Sequence, residues 1–183
     1  ELMTKKVVAN PALKKILIAT TSGTGSEVSQ FFVASKGHDK YFMGSGYAYP
    51  EIAIIDPGLT VSMPPKVTAS TGIDALSHAV ESVMNKLANP WYDCIGFGGI
   101  ELIAKYLRRA TFNGQDLEAR YYMSMGAALG MMSFTGTSAL YAHSISYALA
   151  MIQPVAHGVG CGIGLPYTMA FNPPVIEDKL ALI

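Results

Sequence analysis

Asp74 and His78 stand four residues apart in Thr71-Gly72-Ile73-Asp74-Ala75-Leu76-Ser77-His78-Ala79-Val80-Glu81. On a helix that spacing puts both side chains on one face, one turn apart. A carboxylate and an imidazole aimed at one point make half of a metal site. Ala69, Ile73, Leu76, Ala79 and Val80 make the neighbouring faces apolar, and a carboxylate buried there needs a partner. The chain has four histidines, and three of them, His78, His143 and His157, fall in apolar, helix-forming surroundings. His143 and His157 bracket a break at Pro154, so two helices can bring them together. One aspartate oxygen and three imidazole nitrogens suit Fe²⁺ or Zn²⁺, with a position left open for an alcohol, an aldehyde or water.

The elements that must position these groups can be read from the pattern. Pro64-Pro65 opens a helix, because a missing N–H costs nothing in a first turn. Further helices are expected from about Pro90 to Arg109, from near Asp116, from about Ser138 to Met151, and after His157, the last stopped by Asn172-Pro173-Pro174. Before residue 60 the signals are strands: Lys15 to Thr21, a pair formed by Gln30–Ala34 and Tyr41–Met43, and Glu51 to Asp56, closed by Pro57-Gly58. His38 falls in the polar turn of that pair. A boundary near residue 60 follows, with an α/β part at 1–60 and an all-α part at 61–183. Ser22-Gly23-Thr24-Gly25-Ser26-Glu27 follows the first strand. It is either a phosphate-holding loop or a plain tight turn, and it matches neither the P-loop nor the G-x-G-x-x-G pattern.

Thirteen basic and thirteen acidic residues in 183 leave no net charge, which argues against nucleic acid and anionic membrane as partners. Hydrophobic residues make up 50 % and charged ones only 14 %, a low surface charge for a free-standing domain, so apolar faces are expected to seek a partner. Between Tyr121 and Ile176 there is no Asp, Glu, Lys or Arg. Gly126-Ala127-Ala128-Leu129-Gly130 is a GxxxG. The run is nevertheless cut by Ser, Thr, Pro and Gly and gives no clean span of about 20 apolar residues, so central helices packed through small residues are expected rather than a membrane segment. Cys94 and Cys161, far apart and without a C-x-x-C, suggest a reducing, cytoplasmic compartment.

Four segments resemble the iron-containing (group III) alcohol dehydrogenase family. Thr20-Thr21-Ser22-Gly23-Thr24-Gly25-Ser26-Glu27-Val28 resembles its T-T-x-G-T-x-x-E-V cofactor loop. The stretch from Pro64-Pro65 to Glu81 resembles its P-P-x(5)-T-G-x-D-A-L-x-H-A-x-E helix. His143 to Tyr147 resembles its H-x-x-x-H segment, and Val155 to Val159 its P-H-G-V turn. The resemblance runs from about residue 15 to 175. It implies a Rossmann-like cofactor domain followed by an all-helical metal domain, a dehydroquinate synthase-like architecture with the active site between the two.

By that resemblance, Asp74, His78, His143 and His157 match the metal ligands. Thr20, Thr21 and Thr24 match hydroxyls at the dinucleotide site, Lys40 a lysine near the cofactor, and Leu59 an apolar residue at the cofactor cleft. The implied activity is hydride transfer between an alcohol, with hydroxy acids among the candidates, and NAD or NADP, with Fe²⁺ or Zn²⁺. Tyr147 stands where many members carry a second histidine, and it is read as shaping the substrate pocket; Ala19 stands where a proline often precedes the Thr-Thr pair. The family's Gly-Gly-Gly-Ser phosphate loop has no counterpart upstream of residue 15, and helices expected after residue 175 are missing. The chain therefore reads as a fragment that is homo-oligomeric or needs further segments. The alternative is a non-catalytic chain with a structural or empty metal site.

Overall fold

The computed structural model describes residues 8, 10–36, 39–139 and 141–183, with the backbone alone for 35, 36, 39, 40 and 175. Strand β1 (Ile16–Ala19) pairs in parallel with β4 (Ile52–Ile55), placing Ile16 opposite Ile52 and Ile18 opposite Ile54. The connection between them carries an antiparallel pair, β2 (Phe31–Lys36) and β3 (Asp39–Gly44). These strands run further toward the turn than their apolar residues indicate. The turn with His38 lies outside the described residues.

The helices follow in order: α1 (Pro65–Met84), α2 (Pro90–Phe112), α3 (Leu117–Thr137), α4 (Tyr141–Ile152), α5 (His157–Phe171) and α6 (Pro173–Leu180). Their starts carry the expected chemistry. Asn89 accepts from the N–H groups of Trp91 and Tyr92 at the head of α2, and Asp116 accepts from Ala119 at the head of α3. Asn172-Pro173-Pro174 does end α5, but it also opens α6. Proline at the first helical positions starts a helix as readily as it stops one.

The core lies between α1, α2 and α3. Ala75, Ile103, Tyr106, Ala110, Ala119, Met123 and Ala127 form one cluster. Ala79, Val80, Val83 and Ile100 of α1 and α2 form another with Ala142 and Leu165 of α4 and α5. The GxxxG of α3 is a packing device. A Cβ on Gly130 would sit 3.0 Å from the Ala75 carbonyl of α1, and one on Gly99 of α2 would sit 3.0 Å from the Gly130 nitrogen. Three backbones therefore approach where only hydrogen fits. The charge-free stretch is explained by this packing, and among the described residues no helix is long and apolar enough to cross a membrane.

One charged side chain is deeply buried at the head of this bundle. Arg120, 1 % exposed, donates to the carbonyls of Gly114 and Met63 and to the Thr68 hydroxyl. Three acceptors offset much of the cost of burying a guanidinium. They tie the start of α3 to the start of α1, the helix that carries Asp74 and His78.

Candidate metal centre

Asp74, His78 and Glu81 follow an i, i+4, i+7 stripe on α1, and all three are buried. The stripe faces α4 and α5. There the Nε2 of His143 lies 3.8 Å from Asp74 Oδ1, and the Nε2 of His157 lies 3.6 Å from the same oxygen. An ion with bonds of about 2 Å can join atoms up to about 4 Å apart, so these three fit one ion. The rings of His143 and His157 are 5.4 Å apart at their centroids. His78 stacks on His143 at 4.6 Å and meets Phe134 edge-on.

The neighbours fix the tautomers. Glu81 is fully buried and spans two partners on α4: one oxygen accepts from the Ala142 N–H at 2.6 Å, the other pairs with His143 Nδ1. A carboxylate only accepts, so the His143 proton sits on Nδ1 and Nε2 presents its lone pair to Asp74. The Ser146 hydroxyl donates to the His157 carbonyl at 2.8 Å, which leaves its oxygen to accept from His157 Nδ1 at 3.0 Å. The Nε2 of His157 is thereby also a lone-pair donor directed at Asp74. Burial pushes His78 down to about 4, against the opposing pull of Asp74, so this ring is neutral at neutral pH.

Among the described residues, the buried side-chain polar atoms without a hydrogen-bond partner are Asp74 Oδ1, His78 Nδ1 and His143 Nε2. Each such atom costs about 1–3 kcal/mol, and all three stand at this one place. A cation between Asp74 and His143 would satisfy the first and the last of these together. The donor atoms that lie within 4.8 Å of one another belong to Asp74, His143, His157 and Cys161. His78 stands just outside this set. Cys161 lies one turn beyond His157 on α5, with its sulfur 3.7 Å from His157 Nε2. Burial first, and then the Asp74 carboxylate, push its thiol pKa up.

The centre opens on a cavity of about 540 Å³ lined by Asp74, His78, His143 and His157 on one side and by Thr24, Ser26 and Phe31 on the other. Tyr147 also lines it, with its ring 5.2 Å from that of His157, and burial raises its phenol pKa. The remaining residues singled out in the sequence are less closely drawn in. Thr21 is half-buried, Thr20 and Leu59 are exposed, and none of the three lines this cavity. Lys40 lies on β3, and its side chain is outside the described residues. Sequence reasoning assigned no part to Glu81 or Cys161. Helix spacing sets them at i+7 from Asp74 and i+4 from His157, a signal too common to single them out.

Known proteins share the sequence pattern and the fold of this chain. Residues 1–57 match the family model described as iron-containing alcohol dehydrogenase, and residues 68–183 match the C-terminal model of the same family. The chain is 42 % identical over 176 residues to long-chain-alcohol dehydrogenase 1 of Geobacillus thermodenitrificans, a match that covers 96 % of this chain and 45 % of the relative. Sulfoacetaldehyde reductase from Bifidobacterium kashiwanohense, solved in complex with NAD⁺, superposes with a TM-score of 0.84 at 36 % identity, over 87 % of this chain and 43 % of that one. An iron-containing alcohol dehydrogenase from Thermotoga maritima superposes with a TM-score of 0.88 at 29 % identity, over 98 % and 52 %. The chain thus spans about half the length of the relatives it matches. The few strands and the helical bundle are those of the dehydroquinate synthase-like fold, and the chain belongs to the iron-containing alcohol dehydrogenase family.

Proposed function

We propose that this chain carries the metal half of an NAD(P)-dependent oxidoreductase that interconverts alcohols and aldehydes. The observation that carries the reading is the convergence of two unpartnered buried atoms, Asp74 Oδ1 and His143 Nε2, on a cavity that also meets the Thr24–Ser26 loop. In this reading Asp74, His143 and His157 hold a divalent ion, Fe²⁺ or Zn²⁺, with His78 carried over from the family motif as a further donor. When bound, the ion supplies Lewis acidity to the substrate oxygen, and a nicotinamide accepts or returns the hydride.

The protein's own side chains do the rest. Asp74 brings negative charge into a buried place, and Glu81 holds His143 with its lone pair turned to the centre. Phe31 and Phe134 exclude water from the cavity wall. Thr20, Thr21 and Thr24, with Lys40 and Leu59, are proposed for the cofactor side. Tyr147 offers a neutral hydroxyl to a second polar group on the substrate, such as the carboxylate of a hydroxy acid. We also assign residues 1–60 to the cofactor domain and 61–183 to the metal domain, place the protein in the cytoplasm, and expect a homo-oligomer or a dependence on further segments.

This chain alone is expected not to turn over, so the test is NADH and NADPH oxidation by the metal-loaded chain joined to the further cofactor-domain segments it depends on, with a panel of aldehydes and hydroxy-acid precursors. Turnover should vanish on chelation and in His157→Ala. Tyr147→Phe should raise KM for a hydroxy acid more than for a simple alcohol of equal length. Equal metal content in wild type and His157→Ala would refute the metal assignment.

A further inference from the structure

We propose that Cys161 is itself a donor in this centre, so that the ion is held by a carboxylate oxygen, imidazole nitrogens and a thiolate sulfur. The inference rests on the metal reading above and goes beyond it. Cys161 and His157 are four apart on α5 and so share one face of the helix. The sulfur lies 3.7 Å from His157 Nε2, and bonds of about 2.3 Å to sulfur and about 2.0 Å to nitrogen can close that gap on one ion. It belongs to the set of donor atoms within 4.8 Å of one another, with Asp74 and His143.

The alternative is a cysteine used as a small apolar filler, for which the residue is common. A filler would face carbon. This thiol is fully buried, at 0 % exposure, and its neighbours in the set are a carboxylate oxygen and an imidazole nitrogen that lack hydrogen-bond partners of their own. On binding, the S–H bond breaks, the proton passes to solvent, and a sulfur–metal bond forms. A thiolate softens the ligand set, so the centre should favour Zn²⁺ over Fe²⁺ more strongly than nitrogen and oxygen donors alone would.

Cobalt(II) reads this directly. The full chain, stripped with chelator and reloaded with Co²⁺, should show a near-ultraviolet sulfur-to-cobalt charge-transfer band, which imidazole and carboxylate ligands do not give. Cys161→Ser and Cys161→Ala should lose that band and keep the visible cobalt bands. Cys94→Ser, which alters the exposed cysteine, should keep both. The Zn²⁺-over-Fe²⁺ affinity ratio should fall in Cys161→Ser. Visible cobalt bands in wild type without the charge-transfer band would overturn the thiolate and leave the metal reading standing. No cobalt retained on dialysis would overturn both. The wild-type spectrum decides the matter even if the Cys161 variants fold poorly.

Discussion

Glu81 governs what His143 can offer. Its two oxygens are committed to the Ala142 N–H and to His143 Nδ1, so the imidazole is locked in one tautomer and one orientation. Outer partners of this kind are worth about 10–100-fold in metal affinity. Glu81→Gln keeps the shape but can present an N–H to Nδ1 and turn the tautomer over. Competition with a chromophoric chelator should show divalent-metal affinity falling by about that factor, with far-UV circular dichroism unchanged; an unaltered affinity would leave Glu81 a packing role only. At this scale the sequence was legible in part. Asp74 and His78 announced themselves through one helical turn, and His143 and His157 through their break at Pro154. Glu81 and Cys161 did not, because a glutamate or cysteine on a helix is ordinary until something shows what it faces.

Gly158 fixes how α5 crosses α1. A Cβ there would stand 1.9 Å from the Ser70 carbonyl oxygen, and a backbone atom cannot swing aside as a side chain can. Gly158→Ala must push α5 away from α1, and with it His157 away from Asp74. Overpacking of this kind costs about 1–3 kcal/mol. A chemical-denaturation midpoint should fall accordingly, and the variant should bind metal more weakly than a control at an exposed glycine such as Gly46→Ala. Unchanged stability would mean that the crossing is loose. The helices themselves were legible from prolines, caps and apolar spacing. The β1–β4 pairing was not, since two short strands separated by a hairpin carry no local signal of register; tertiary packing decides it.

Over the whole molecule, the clearest unpartnered feature is the face of the parallel pair. Ile16, Ile18, Ile52 and Ile54 are 57 %, 52 %, 51 % and 41 % exposed, although parallel strands are ordinarily covered on both faces. The low charge content of the sequence forecast uncovered apolar surface, but not where it lies. The chain should self-associate through this face. Sedimentation velocity should show a concentration-dependent mass for wild type, shifted toward monomer in the double variant Ile18→Lys, Ile54→Lys. Identical profiles for the two proteins would rule this face out as the contact.

Trypsin has no bond to cut between Arg120 and Lys179, because that interval holds no lysine or arginine. Digestion therefore delivers the α4 and α5 donors, His143, His157 and Cys161, on one long fragment, 121–179. Asp74, His78 and Glu81 of α1 leave together on 67–86, between Lys66 and Lys86. The bundle that folds through small, uncharged contacts thus sorts its candidate centre into two pieces for mass spectrometry. A short cross-linker that bridges the centre should join those two fragments, while a thiol label that reaches the centre marks 121–179 through Cys161, apart from the exposed Cys94 on 87–105.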